Sequence, residues 1–549
     1  MFSWLAKRTD KLNHPMSSVA EAKGLLDELP KDDPLKALQE ITSWLESITA
    51  TPGFRAALRA ELVELLDETG LPIHSQMLKK YLAAPRLQDF QGTHLWQGMH
   101  LYNGELARAY EECIASCRRE EMKPYELREC VPLLSVRLLR AAAEQMKLEL
   151  MRYMDVSSAI WERLYRCYAN AEASQLANIM LYAYPGYATH TSPKHELLRA
   201  LVVHESSPGN LAPDQIEVAF RIAGRMVSFF DLTTTQDVSS EYCIDLAQPK
   251  APTALEASVA ATPTMRFFSP LRALPRIAEI IKQHELGGYG EERRFGSEFT
   301  PQGKLTVLKH LLVYWNKFHP RRALARRGIS ANVDVAHGFR TIGTLVPSVD
   351  LSRADGLSEE EAKTLTERSK FTVALGDGSV SAPETWTIVD VSLNGLGGLV
   401  PRAAGAWVKV GALIGLKPQN AQTWWVSVIR RLHTDREGVV HVGIEILNKK
   451  SLSVWLRVLG KGAERVSNWE SSSGSFKYDY FPAILLPDAQ NSYLHATMLL
   501  ESGNYKEGKI FEVMLGEKSR EIELTNMVAE GEDYELVKFR WLVASYEKK

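Results

Sequence analysis

The sequence has almost no net charge and lacks any long apolar run. The formal net charge of the 549 residues is −2, so no global field draws the chain to nucleic acid or to an anionic membrane, and any anion site must be local. No apolar stretch approaches the length of a membrane span, and the first residues lack the apolar core of a signal peptide. We therefore expect no membrane span and no nucleic-acid polymer as a partner.

Cysteine is also scarce. The five cysteines all lie in the first half of the chain, and their spacing matches neither a zinc site nor a redox motif. Cys113 and Cys117 are one helical turn apart, but no further ligand follows at metal spacing. We expect no metal and no cofactor, and the unpaired cysteines, with no export signal, indicate a reducing, cytoplasmic compartment.

The front of the chain has the pattern of packed helices. In residues 1–230 apolar side chains recur at helical spacing, and the first clear stripe follows Asp33 and Pro34, an N-cap and a first-turn proline. This pattern predicts an all-α bundle or short solenoid. The signal is weaker in residues 231–319, which contain a stretch rich in small residues and proline, and we interpret this segment as a linker and helical connecting region.

The rest of the chain has the pattern of β-structure. Short alternating segments after Ala331 predict a small closed barrel over residues 320–465, with an insert at 346–383 in which Ser358 and Glu361 suit the capping box of a short helix. An amphipathic run at 452–459 predicts a helix that closes this barrel. Residues 476–549 are again rich in short strands and predict a second small β domain.

Two short motifs stand out in the β-rich part. The first lies between His319 and Arg327 and contains four arginines, with the core spacing R-x-x-x-R. The second, D-x-S-x-x-G-x-x-G, lies between Asp390 and Gly398, on a turn between two apolar runs. An arginine fork binds phosphate oxygens and the O6 and N7 atoms of guanine in bidentate fashion, and a glycine lets the backbone approach a ligand closely.

Found in this order, the motifs resemble those of the PilZ family, small β-barrels that bind cyclic di-GMP. The resemblance covers residues 320–465 and implies a PilZ-like barrel there. Together with the patterns before and after it, we expect a multidomain α+β protein, in which an N-terminal helical domain precedes the PilZ-like barrel and a second β-rich domain. The resemblance assigns six binding positions: Arg322, Arg326, Asp390, Ser392, Gly395 and Gly398. We add three auxiliary candidates: Arg321, Arg327 and Asn394.

The family further implies a receptor, not an enzyme. It would bind cyclic di-GMP, one molecule or an intercalated pair, at the barrel and pass the signal to the helical region, where a protein partner docks. Control of motility, surface polysaccharide or biofilm would follow. In the family pattern the arginines close over the ligand, and Asp390 suits the N1–H and amino group of guanine.

Two alternatives remain open at this point. The arginines also suit a solvated or ion-paired patch, and the Asp and Ser of the turn also suit local backbone amides, in which case the barrel is a nucleotide-independent scaffold. The third class is an enzyme with its site in the helical half, which needs a deep pocket with perturbed titratable groups among residues 90–230. No serine elbow, His/Cys pair or carboxylate dyad in the sequence supports that class.

Overall fold

The structure, a computed structural model, describes residues 13–83, 90–120, 122–255, 261–287, 290, 292–317, 327–349, 382–392, 394–401, 405, 407–458, 480–488, 496–515 and 518–542. The chain divides into two compact units, Met1–Arg321 and Arg322–Lys549. Within the described residues, no helix combines the length and the apolar character needed to cross a bilayer.

The first unit is predominantly helical, as the sequence predicts. Its helices are α1 (Val19–Asp27), α2 (Pro34–Ala50), α3 (Ala56–Ala83), α4 (Phe90–Arg119), α5 (Pro124–Met151), α6 (Ser158–Ala173), α7 (Pro193–His204), α8 (Pro213–Met226), α9 (Leu274–Glu285) and α10 (Pro301–Tyr314). Strands β1 (Leu181–Tyr182) and β2 (His190–Thr191) form a short hairpin between α6 and α7.

Helix α2 has the N-cap and the buried apolar stripe that its sequence predicts. A carboxylate oxygen of Asp33 accepts a hydrogen bond from the backbone N–H of Lys36 at 3.1 Å, which satisfies one of the free donors of the first turn. Leu38, Ile41 and Leu45 are fully buried in the core that the helices share. The cap sets the first residue of the helix, and the apolar stripe sets the face that it buries.

Residues 231–319 are not a linker where the structure describes them. Strands β3 (Leu232–Thr233), β4 (Tyr242–Asp245), β5 (Thr253–Ala254) and β6 (Met265–Phe268) form a four-stranded sheet in the order β3-β6-β4-β5. Ile277, Leu308 and Trp315 belong to the same core as the preceding helices, and the Trp315 indole N–H donates to the carbonyl of Val202 at 2.9 Å. The helices expected in this connecting region are present as α9 and α10, whereas the sheet and the shared core were not predicted, because composition does not reveal long-range packing.

The helical unit contains a buried carboxyl. Asp67 is 1% exposed, and it accepts hydrogen bonds from the hydroxyls of Tyr110 at 2.6 Å and Tyr184 at 3.3 Å. The Arg137 guanidinium lies 3.8 Å away. Burial, only partly offset by these neighbours, raises the pKa of Asp67 from 3.8 to about 6.

We expect Asp67→Asn to remove a pH dependence of stability. The raised pKa means that the folded chain holds the proton more tightly than the unfolded chain, so Asp67 contributes stability below pH 4 that is lost as the pH rises to about 6. The unfolding free energy of the wild type relative to the variant should therefore fall by roughly 2 to 3 kcal/mol between pH 4 and pH 7. Urea unfolding of both proteins at the two pH values measures this, and an unchanged difference would contradict it.

The second unit begins with a closed six-stranded barrel. Its strands are β7 (Arg327–His337), β8 (Glu384–Val391), β9 (Gly395–Val400), β10 (Leu413–Pro418), β11 (Trp425–Thr434) and β12 (Val440–Asn448), in the closed order β10-β11-β12-β9-β8-β7. Alternate residues such as Val333, Val335, Trp386 and Ile388 are buried in its interior. The capping-box helix predicted near Ser358 falls outside the described residues.

A second closed barrel follows directly. It contains β13 (Leu452–Val458), β14 (Tyr480–Leu486), β15 (Thr497–Glu501), β16 (Ile510–Leu515), β17 (Lys518–Glu530) and β18 (Tyr534–Trp541), in the order β13-β14-β15-β18-β17-β16. The helix predicted at 452–459 was wrong, since Val454 and Leu456 alternate into the interior of this barrel. We therefore propose a boundary between the two barrels near residue 450. The predicted fold class, a helical domain followed by two small β domains, is confirmed.

A short helix that the sequence patterns do not predict packs against both barrels. Helix α11 (Phe339–Leu345) packs Ile342, which is fully buried, in a cluster with Trp424 of the first barrel and Ile484 of the second. The backbone N–H of Phe339 donates to the carboxylate of Asp533, in the turn before β18. The two barrels therefore share part of their core.

Candidate ligand-binding surface

The D-x-S-x-x-G segment forms the connection between β8 and β9. The backbone N–H and the hydroxyl of Ser392 both donate to the carbonyl of Gly395, at 2.8 and 3.2 Å. Asn394 is exposed, and its carbonyl accepts the N–H of Ile446 in β12 at 3.0 Å. A Cβ at Gly395 would lie 3.2 Å from the Ser392 hydroxyl and 3.3 Å from the carbonyl oxygen of Ile444. The two hydrogen bonds from Ser392 thus close the turn, and the absence of a side chain at Gly395 leaves room for the Ser392 hydroxyl.

A β-bulge directs Asp390 to the outside of the barrel. Ile388 pairs with Gly398 and Asp390 pairs with Gly397, so Val389 is an extra residue in β8. Without the bulge, residues 388 and 390 would share a face. With it, Ile388 lies in the interior at 1% exposure, and Asp390 lies half-buried on the outer surface.

The carboxylate of Asp390 lies across strand β9. A Cβ at Gly397 would be 2.6 Å from both carboxylate oxygens, a distance that real Cβ atoms essentially never show. Only glycine at position 397 leaves the carboxylate in this place.

The outer row that contains Asp390 is made mostly of glycine. Asp390 pairs with Gly328 on one side and with Gly397 on the other; beyond Gly397 the register continues to Gly443 and then to Arg431. A Cβ at Gly328 would meet no described atom within 4 Å, and the three atoms nearest a Cβ at Gly443 belong to Arg431. We call this row of five residues the glycine track. A planar group can lie against the backbone here, because the three glycines present no side chains.

The segment with the four arginines, residues 319–327, precedes the glycine track in the chain, and we call it the arginine arm. Arg327 is the first residue of β7 and is exposed; it pairs with Val391, and the next residue, Gly328, pairs with Asp390. The chain therefore enters the barrel beside Asp390. The other arginines of the arm lie outside the described residues, and their role stays a prediction: Arg321, Arg322 and Arg326.

The structure thus brings most of the described candidates to one place. Arg327, Asp390, Ser392, Asn394 and Gly395 all lie at the end of the barrel where β8 passes into β9.

Gly398 is the exception among the candidates. A Cβ there would point at Ile388 and Val442, 3.2 and 3.4 Å away, so Gly398 faces the interior, and a direct contact with a ligand stays a prediction.

Two residues of the track were not among the sequence candidates, Gly443 and Arg431. Gly443 is an isolated glycine in an otherwise apolar strand, which is a known signal of close backbone approach or of a bulge. No local sequence pattern marks Arg431 as a binding residue, because only the strand register places it in this row.

The helical unit offers weaker candidates for a site. A cavity of about 450 Å³ between α4, α5 and α6 is lined by Arg108, Arg118, Arg166 and Cys167 among others. Burial raises the pKa of the Cys167 thiol to about 12, and the Arg166 guanidinium is ion-paired with Glu111. The thiol is therefore protonated at neutral pH, and the described lining of this cavity offers no activated nucleophile.

Comparison with known families covers more than two thirds of the chain. Residues 20–237 match the domain described as "Cyclic-di-GMP receptor FimW, N-terminal domain", residues 355–452 match "Cyclic-di-GMP receptor FimW, middle PilZ domain", and residues 471–542 match "FimW C-terminal beta-barrel domain". No curated protein matches the chain. The predicted resemblance to PilZ domains is confirmed. The chain belongs to the FimW family of cyclic-di-GMP receptors.

Proposed function

We propose that this chain binds cyclic di-GMP on the outer face of its first barrel, along the glycine track. One observation carries the proposal: Asp390 is paired between Gly328 and Gly397, at the end of the barrel where β7 begins, and its carboxylate lies over Gly397. An acceptor, an open backbone surface and a local source of positive charge are the three groups that a doubly anionic guanine dinucleotide needs.

Each group has a distinct task in this proposal. The Asp390 carboxylate accepts the N1–H and amino protons of a guanine, whose ring lies beyond Gly397, against Gly443. Arg322 and Arg326 close over the ligand and bind its phosphates or the O6 and N7 atoms of a guanine, with Arg327 at the base of the arm. Burial between arm and barrel strengthens these charged hydrogen bonds, because water is excluded.

The signal would pass from the arm to the helical unit. The arm follows α10 in the chain and precedes β7, so its closure over the ligand would change the connection between the units. The ligand shifts the equilibrium only by its difference in affinity for the two arrangements. We propose that the helical unit then presents a docking surface to a protein partner, with motility, surface polysaccharide or biofilm as the controlled process.

Calorimetric titration of the full chain tests this function. We expect saturable binding of cyclic di-GMP and no comparable binding of GTP or cyclic GMP. If cyclic di-GMP does not bind, the receptor function is refuted for this chain, and the barrel is a scaffold.

We expect Asp390→Ala to weaken cyclic di-GMP binding by about 10- to 100-fold, because one good pair of hydrogen bonds to a base edge contributes about 1 to 3 kcal/mol. Asp334→Ala is the matched control, since Asp334 is an exposed aspartate on β7 of the same barrel, away from the track. Both affinities follow from the same titration. If the two variants bind with equal affinity, Asp390 does not contribute to cyclic di-GMP binding.

A further inference from the structure

The glycine track continues beyond the residues that the D-x-S-x-x-G motif supplies. Gly397 is followed in the next strand by Gly443, and Gly443 by Arg431. Asp390 and Arg431 are therefore three strands apart, which is about 14 Å along the sheet at the usual strand spacing. The two positions between them are glycines, and this part of the track therefore has an acid at one end and a base at the other.

Register shifts place Arg431 on this outer face. Ile429 pairs with Ile444 and Arg431 with Gly443, so the bulge at Arg430 changes the alternation of β11. The next residue, Leu432, is 3% exposed and faces the interior. Arg431 is exposed, and a Cβ at Gly443 would lie 3.2 Å from the Cβ of Arg431, which confirms that the two share a face.

The residue before Arg431 is a second arginine, Arg430, which forms an ion pair. The Arg430 Nε donates to a carboxylate oxygen of Glu445 at 2.6 Å, as an exposed ion pair. Arg430 therefore forms an ion pair with Glu445, whereas Arg431 lies at the end of the glycine track. This difference makes Arg430 a matched control for Arg431.

The order of hydrogen-bonding groups along the track matches the two edges of guanine, with an acceptor at Asp390 and donors at Arg431. One edge of guanine carries the N1–H and amino donors, and the adjoining edge carries the O6 and N7 acceptors. A guanine whose donors meet the Asp390 carboxylate above Gly397 and whose ring lies on Gly443 would have its acceptors towards Arg431. Adenine presents an amino donor in place of O6, which a guanidinium does not accept.

We propose that Arg431 is a binding residue that selects guanine, by donating two hydrogen bonds to O6 and N7 of the base whose other edge Asp390 holds. This assignment rests on the proposed binding of cyclic di-GMP to the glycine track. Arginine suits this role better than lysine, because its planar fork offers two parallel donors.

Titration of the full chain with cyclic di-GMP and cyclic di-AMP tests the assignment. We expect Arg431→Ala to weaken cyclic di-GMP binding by about 10- to 100-fold. Arg431→Lys, which keeps the charge but loses the fork, should bind nearly as weakly. Arg430→Ala should change the affinity less than threefold, since an exposed ion pair contributes little. The preference for cyclic di-GMP over cyclic di-AMP should decrease in both Arg431 variants.

The outcomes separate this inference from the function on which it rests. If the wild type binds cyclic di-GMP and Arg431→Ala binds it equally well, the role of Arg431 is refuted and the receptor function stands. If Arg431→Lys keeps the wild-type affinity and nucleotide preference, the bidentate contact is refuted. If the wild type binds no cyclic di-GMP, both the function and the assignment are refuted. Far-ultraviolet circular dichroism and the thermal midpoint of each variant show that the barrels remain folded.

Discussion

Gly397→Val is expected to weaken cyclic di-GMP binding at least 100-fold while the first barrel stays folded. A Cβ at this position would lie 2.6 Å from both oxygens of the Asp390 carboxylate, so the carboxylate must swing away from the place where it would meet a guanine. The two methyl groups of valine would also stand in the space through which the guanine reaches the carboxylate. The lost hydrogen bonds alone contribute about 1 to 3 kcal/mol, and the lost approach to the backbone adds to this.

Folding should tolerate this substitution, because valine is favoured in strands and the group that must move is the end of a side chain on the outer face. Gly397→Ala adds only the Cβ and should give an intermediate loss of affinity. Gly343→Ala is the control, since a Cβ at this α11 position would meet no described atom within 4 Å. Calorimetric titration and thermal unfolding of the three variants measure both effects. Wild-type affinity in a folded Gly397→Val protein would refute the proposed position of the ligand.

The double variant Arg322→Ala, Arg326→Ala is expected to lose binding by about 100-fold or more. Each guanidinium would donate charged hydrogen bonds to phosphate or guanine, and such a bond contributes about 1.5 to 3 kcal/mol, so two lost contacts add up to roughly 3 to 6 kcal/mol. Binding should also weaken as the salt concentration rises, and this dependence should be smaller in the double variant, because screening acts on the contacts that it lacks.

Arg340→Ala provides the control for the loss of positive charge in the same unit. Arg340 is exposed and its guanidinium donates to Glu501 at 2.7 Å, away from the track. Titration at two salt concentrations gives the affinity of each protein. If the double variant binds as tightly as Arg340→Ala, the arm is not part of the site, and the ligand would be held by the track alone.

Much of the fold follows from local patterns in the chain. The helical stripe of α2, with its cap at Asp33, is present in the sequence and in the structure. The turn of the β11–β12 hairpin has a local cause as well, since an Asp435 oxygen accepts the N–H groups of Glu437 and Val439, both at 2.9 Å. These elements are predictable because their deciding interactions lie within a few residues.

Other elements were mispredicted because distant partners decide them. Residues 452–459 fit helical and alternating patterns alike, and pairing of Val454 and Leu456 with β14 selects the strand. Helix α11 is too short for a periodic signal, and its formation depends on the cluster around Ile342 between the two barrels.

For the candidate site, the sequence by itself determined the chemistry: arginines before a first strand, an acid and a serine on a turn, and glycines beside them. The tertiary structure decided which face they share. The bulge at Val389 turns Asp390 outward, and the pairing of β9 with β12 and of β12 with β11 brings Gly443 and Arg431 into its row. No local rule gives this result, because a register shift of one residue moves every following side chain to the other face of a strand.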